Sequence, residues 1–122
     1  MRALILIFAA TASVLLLSAM GGDGTETDAN GAVVVKIVAQ RFHYTPGEVV
    51  LKRGQPAVLE ITSLDFLHGF KVPDLGIRVD LPPGKVTRVA LKPEKTGNYD
   101  FLCDNFCGSG HEEMNGRIVV VD

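Results

Sequence analysis

The chain has 122 residues, of which 47% are apolar and 21% are charged, and its formal net charge is −2 at pH 7. This length fits one domain, and a nearly balanced charge without a basic block argues against nucleic-acid binding. The two cysteines are too few for a disulfide-dense mini-protein, so the core must form mainly by burial of apolar side chains.

Residues 1–21 have the features of a targeting segment. Met1 and Arg2 precede an apolar run over residues 3–20, and Gly21 is a small residue at its end. This order is typical of a cleaved export signal. The run also reaches the lower limit of the roughly 17–25 residues that span a bilayer, so a single membrane anchor, with membrane association through residues 3–20, is the alternative. Both interpretations place the rest of the chain in the periplasm or on the outer face of the cytoplasmic membrane.

Residues 22–31 form a short segment that is polar, acidic and rich in glycine. Such a segment has too few apolar side chains to pack against a core, which predicts a flexible tether. The folded domain is therefore expected over residues 32–122.

Within residues 32–122, short apolar runs alternate with turn residues such as Pro82-Pro83-Gly84. Ala57, Leu59 and Ile61 alternate with more polar neighbours, which is the period of two expected of a half-buried strand. No run has a convincing helical stripe. The pattern predicts an all-β domain, an antiparallel Greek-key β-sandwich. The predicted strands lie at residues 33–38, 49–52, 57–62, 77–79, 86–91, 99–103 and 118–121.

The soft metal-binding side chains are concentrated between the last two predicted strands. Cys103, Cys107, His111 and Met114 lie within twelve residues there, and thiolate, imidazole and thioether together are the ligand set that soft copper prefers. A second imidazole, His68, is flanked by apolar residues at a strand edge. It can reach the loop only after the sandwich has folded, so the scaffold rather than the metal would organise the site. A buried structural histidine is the alternative.

The presence of two thiolates indicates two copper ions rather than one. A mononuclear blue site uses one Cys, two His and a weak axial Met. Two thiolates can instead bridge a pair of coppers, each with one His and one weak axial ligand. Met114 is predicted as one axial ligand, and a backbone carbonyl, best placed at Asn105, as the other. An electron shared between two metals changes bond lengths little, which favours fast electron transfer.

Two other uses of the same cysteines are open. In an exported chain, Cys103 and Cys107 could form a disulfide, and the domain would then be a structural module. Zinc could take two Cys and two His ligands, but zinc has no use for the thioether of Met114.

These residues resemble the copper-A domain of cytochrome c oxidase subunit II and the related domain of nitrous-oxide reductase. The family pattern is an upstream His followed by Cys-x3-Cys-x3-His-x2-Met, and it corresponds to His68, Cys103, Cys107, His111 and Met114. The resemblance implies a cupredoxin fold, a dinuclear copper centre and electron uptake from a cytochrome c or a similar redox donor. Further similar segments are Thr45-Pro46, residues 65–68, 83–85, 97–99 and 116–119.

The leading hypothesis for function is one-electron transfer. The chain would act either as a subunit II-like component of a cytochrome c oxidase, beside a haem-copper subunit I, or as a stand-alone exported carrier, and it would do no bond chemistry by itself. The alternative is a periplasmic copper chaperone or assembly factor that uses Cys103 and Cys107. Thioredoxin-fold assembly proteins usually have Pro after the second Cys, where this chain has Gly108, and they need helices that the pattern lacks.

Overall fold

A computed structural model describes residues 26–104 and 114–122 of the chain. These residues form strands and one short 3-10 turn at Pro73–Leu75. The strands are β1 (Glu26–Thr27), β2 (Val33–Gln40), β3 (His43–Thr45), β4 (Glu48–Lys52), β5 (Ala57–Ser63), β6 (His68–Val72), β7 (Ile77–Leu81), β8 (Val86–Leu91), β9 (Gly97–Leu102) and β10 (Asn115–Val121).

The strands form two five-stranded sheets. The first has the order β1-β2-β5-β8 with β3 paired to β2, and the second has the order β4-β10-β9-β6-β7. The predicted β-sandwich is confirmed, but each sheet is mixed, because β2 pairs parallel with β5 and β4 pairs parallel with β10. The first parallel pair arises because the chain crosses to the second sheet at β4 before it returns at β5 in the direction of β2.

The core lies between the inward faces of the two sheets. Strand β5 shows the predicted alternation, since Ala57, Leu59 and Ile61 are buried and the residues between them are partly exposed. Three aromatic rings fill the end of the core near β6. Tyr44 meets Phe101 edge to face with 5.0 Å between ring centroids, and Phe70 lies 4.9 Å from Phe101. The edge-to-face contact stabilises the core beyond what burial of the two rings contributes.

Strand β6 is absent from the predicted strands. Its first three residues, His68, Gly69 and Phe70, are all buried. They therefore do not alternate between apolar and polar side chains, and a search for a period of two does not find the strand. The strand is nevertheless central to the second sheet, where it lies between β7 and β9.

Part of the segment predicted as a tether is instead ordered against the domain. Glu26 and Thr27 pair antiparallel with Val34 and Val33. The turn between the two strands is held by Asp28, whose Oδ1 accepts hydrogen bonds of 2.9 Å from the backbone N–H groups of Asn30 and Ala32. Because the Asp28 carboxylate accepts hydrogen bonds from the N–H groups of the turn, the backbone here is ordered without apolar side chains. Within residues 26–104 and 114–122 no helix is long and apolar enough to cross a membrane, and the predicted leader lies outside those residues.

Candidate metal centre

Two of the predicted ligands meet at one end of the second sheet. Strands β6 and β9 are antiparallel neighbours, so the start of β6 lies beside the end of β9. His68 is the first residue of β6, and Cys103 directly follows β9. The distance from His68 Nδ1 to Cys103 Sγ is 4.0 Å, and both side chains are almost completely buried.

Met114, the third predicted ligand in the described part of the chain, is also buried beside this point. It is 1% exposed, and its carbonyl accepts a 3.1 Å hydrogen bond from the N–H of Cys103. Cys103 and Met114, which flank residues 105–113 and Asp104 in the sequence, are therefore neighbours in space. Asn105, Cys107 and His111 belong to residues 105–113, which lie outside the described residues.

The described donors fit a soft metal ion. Metal–nitrogen and metal–sulfur bonds of about 2.0 and 2.3 Å allow the two ligand atoms to lie up to about 4.3 Å apart, and the observed His68–Cys103 distance of 4.0 Å is within that reach. Imidazole, thiolate and thioether are the ligands of copper electron-transfer sites. In residues 26–104 and 114–122 no three His, Cys, Asp or Glu side chains converge on one point.

The other ring nitrogen of His68 is held by Asp65. Nε2 lies 2.6 Å from Asp65 Oδ1. Partial burial raises the pKa of Asp65, but hydrogen bonds from the N–H of Arg41, from His68 and from the N–H of Phe66 outweigh it and lower the pKa to about 2. An ionised carboxylate can only accept hydrogen bonds, so Nε2 carries a ring proton, and in the neutral ring that tautomer turns the lone pair of Nδ1 towards Cys103. In metal sites, a carboxylate that accepts a hydrogen bond from the other ring nitrogen orients a histidine ligand in the same way.

Two further side chains stack outside His68. The Phe66 ring lies 5.0 Å from the His68 ring at an interplanar angle of 29°, and the guanidinium carbon of Arg41 lies 4.1 Å from the Phe66 centroid. The sequence analysis gave residues 65–68 only as a segment similar to the family, and it did not describe these contacts of Asp65 and Arg41. The contacts show that Asp65, Phe66 and Arg41 together fix the imidazole.

An ion pair next to Cys103 was also missed by the sequence analysis. Arg78 on β7 forms two hydrogen bonds to the carboxylate of Asp104, from Nε at 2.8 Å and from Nη2 at 2.9 Å. These hydrogen bonds lower the pKa of Asp104, and together with a contact to Asp80 they raise the pKa of Arg78. The only local signal was an acidic residue directly after Cys103, because Arg78 is far away in sequence.

Comparison with known proteins agrees with this architecture. The profile of the cupredoxin-like domain matches residues 3–120. The chain belongs to the cupredoxin-like domain family. This cupredoxin-like chain is 38% identical over 86 residues to cytochrome c oxidase subunit 2 of Thermus thermophilus, covering 70% of the chain and 64% of that protein. It is 32% identical over 92 residues to nitrous-oxide reductase of Ralstonia nicotianae, covering 72% of the chain and 14% of the reductase.

The cupredoxin-like chain also resembles solved oxidase structures. A chain from the cryo-EM structure of a heme-copper terminal oxidase dimer matches with a TM-score of 0.67 and 26% identity, covering 80% of this chain and 73% of that one. The predicted resemblance to the copper-A domain of subunit II is therefore confirmed. The chain spans less than two thirds of the length of the curated relatives described above.

Proposed function

We propose that this cupredoxin-like domain transfers single electrons through a dinuclear copper centre. The observation that carries the proposal is the buried approach of His68 Nδ1 to Cys103 Sγ at 4.0 Å, beside the equally buried Met114. A buried histidine with one ring nitrogen held by a carboxylate and the other beside a cysteine sulfur is suited to binding a metal ion. Cys107 and His111 follow Cys103 within the next eight residues of the chain.

In the proposed centre, the thiolates of Cys103 and Cys107 would be shared by the two copper ions. His68 and His111 would each supply an imidazole to one of them, and Met114 and the backbone carbonyl of Asn105 would be the weaker donors. The bound coppers supply the redox chemistry. The chain's own part is to hold the donors in one arrangement, to exclude water from His68 and Cys103, and to keep the His68 ring oriented through Asp65.

The buried scaffold supports rapid electron transfer. His68 is completely buried, and its ring is fixed on one side by Asp65 and on another by Phe66. A ligand that is already held in place by its surroundings moves little when the oxidation state changes, so the site needs little reorganisation. The domain itself performs no bond chemistry in this proposal.

The partners that we propose follow from the relatives. The cytochrome c oxidase subunits among them support a role as a subunit II-like component that takes electrons from a cytochrome c or a similar donor and passes them to a haem-copper subunit I. A stand-alone exported carrier uses the same centre. Co-purification with a haem-containing subunit from membranes of the native organism would distinguish the first role from the second. In either role the domain works in the periplasm or on the outer face of the cytoplasmic membrane.

Copper titration of the reduced full chain in detergent tests the proposal. We expect two coppers per chain and, after partial oxidation, an electron paramagnetic resonance spectrum of one unpaired electron shared equally by two copper nuclei. Cys103→Ser and Cys107→Ser should each abolish that spectrum. A single, loosely held Cu(I) would favour a copper chaperone instead, and a chain that takes up no copper under reducing conditions would refute a metal centre.

A further inference from the structure

The peptide that joins Cys103 to Asp104 passes unusually close to Gly69 on β6. A Cβ atom placed on Gly69 would lie 2.1 Å from Asp104 Oδ1 and 3.3 Å from the Asp104 backbone nitrogen. A side chain at residue 69 would therefore displace the Asp104 carboxylate from its present position. In this arrangement, the Gly69 N–H donates a hydrogen bond to Cys103 Sγ, with 3.4 Å between nitrogen and sulfur.

Arg78 is the side chain that holds Asp104 in this position. Its Nε and Nη2 atoms form a fork on the two carboxylate oxygens at 2.8 and 2.9 Å. Its third nitrogen, Nη1, contacts Asp80, two residues further along the same face of β7. Arg78 is paired in register with Lys71 on β6, so the fork is anchored on the strand next to the one that carries Gly69.

The fork is suited to positioning rather than to stabilising the fold. The Arg78 side chain is 39% exposed and the Asp104 side chain is 25% exposed, and ion pairs at such sites contribute little to stability. A two-point guanidinium–carboxylate contact nevertheless fixes direction as well as distance. Here the direction that it fixes is that of the first residue after Cys103.

The hydrogen bond from Gly69 bears directly on the redox property of the proposed centre. A donor that points at a cysteine sulfur withdraws electron density from the copper–thiolate bond, which favours the reduced state and raises the reduction potential. We infer that Arg78 is a positioning residue for the centre, because its fork to Asp104 keeps the Cys103 sulfur against the Gly69 N–H. This inference rests on the proposed copper function.

Charge and geometry predict different outcomes, so they can be separated. If Arg78 and Asp104 acted only through their charges, removal of the negative charge in Asp104→Ala would raise the potential, and Arg78→Lys would leave it unchanged. If the fork positions Cys103, both variants lower the potential. Lysine keeps the positive charge, but its single ammonium cannot form the two-point contact.

The experiment uses the full chain in detergent with the variants Arg78→Lys and Asp104→Ala. The matched control is Arg88→Lys, because Arg88 forms a comparable 2.7 Å surface pair with Glu60 on the other sheet. The reduction potential and copper spectrum are measured on the copper-loaded chain. Hydrogen–deuterium exchange of the Gly69 amide is measured by mass spectrometry on the metal-free reduced chain.

We expect Arg78→Lys and Asp104→Ala to lower the potential and to speed exchange at Gly69 by about tenfold or more, while Arg88→Lys changes neither. The inference would be overturned if Asp104→Ala raised the reduction potential, as the explanation from charge predicts. It would also be overturned if Arg78→Lys kept the wild-type potential and the wild-type exchange rate at Gly69. A wild-type chain that takes up no copper would refute the proposed function. In that case the exchange rates still decide whether the fork holds Cys103 against Gly69.

Discussion

Replacement of Asp65 by asparagine tests whether a charged partner holds His68 ready to bind metal. The Asp65 carboxylate lies 2.6 Å from His68 Nε2 and accepts hydrogen bonds from the backbone N–H groups of Arg41 at 2.8 Å and Phe66 at 2.9 Å. Asparagine has nearly the same shape, but it has no charge and only one accepting atom. We expect Asp65→Asn to keep the fold and to lose both stability and copper affinity.

The size of the effect follows from the pKa of Asp65. Folding lowers this pKa from 3.8 to about 2, and one unit corresponds to about 1.4 kcal/mol, so the ionised carboxylate adds at most about 2 kcal/mol to the free energy of unfolding. Because Asp65 is exposed to solvent, screening reduces this contribution to about 1–2 kcal/mol. Asparagine keeps some of the hydrogen bonds, so the expected loss is about 1–2 kcal/mol. A domain of this size loses about 4–8 °C in Tm for each kcal/mol. Loss of a carboxylate behind a histidine ligand typically lowers metal affinity by about 10–100-fold.

The effect also has a defined pH dependence. Because folding lowers the pKa of Asp65, its stabilisation is fully present above the unfolded-state value of 3.8 and is lost as the pH falls towards about 2. The difference in unfolding free energy between wild type and Asp65→Asn should therefore be constant from neutral pH down to about pH 5. Below that it should shrink.

Two assays measure these outcomes. Denaturant unfolding of the metal-free reduced chain, followed by circular dichroism, gives the free energy, and competition with a chromophoric Cu(I) chelator gives the affinity. Asp122→Asn is the control, because Asp122 forms an exposed pair with Arg53 at the end of β10 away from Met114. If Asp65→Asn matches this control in stability and binds copper as tightly as wild type, Asp65 does not hold His68 for the metal.

Three further substitutions probe the surroundings of the site. Tyr44→Phe removes a buried 2.6 Å hydrogen bond to the Gly69 carbonyl and should cost about 1–2 kcal/mol; an unchanged Tm would show that this carbonyl finds another donor. Gly116→Ala places a Cβ 2.5 Å from both the Gly47 carbonyl and the Phe101 ring. It should cost at least about 2 kcal/mol in a denaturant titration, and a wild-type midpoint would contradict that contact. Met114→Leu should keep the dinuclear spectrum and shift the reduction potential, since an axial ligand tunes a copper site without building it; loss of the spectrum would contradict an axial role.

Local sequence pattern was sufficient to predict the longer strands that have one face on the core and the other towards solvent, but not the short β3. Strand β5 was predicted because its alternation of buried and partly exposed side chains is visible in sequence. The same rule failed at β6, where consecutive buried residues conceal the strand. It also failed at β1, whose pairing depends on a side-chain turn at Asp28 rather than on apolar content.

The fold class and the chemical identity of the candidate donors were determined by the sequence alone, because periodicity and ligand spacing are local properties of the chain. The tertiary structure decided the rest. The 4.0 Å approach of His68 to Cys103, the carboxylate behind the imidazole and the fork of Arg78 on Asp104 depend on antiparallel register between β6, β7 and β9. Register is set by how whole strands pack against the core, so no short stretch of sequence encodes it.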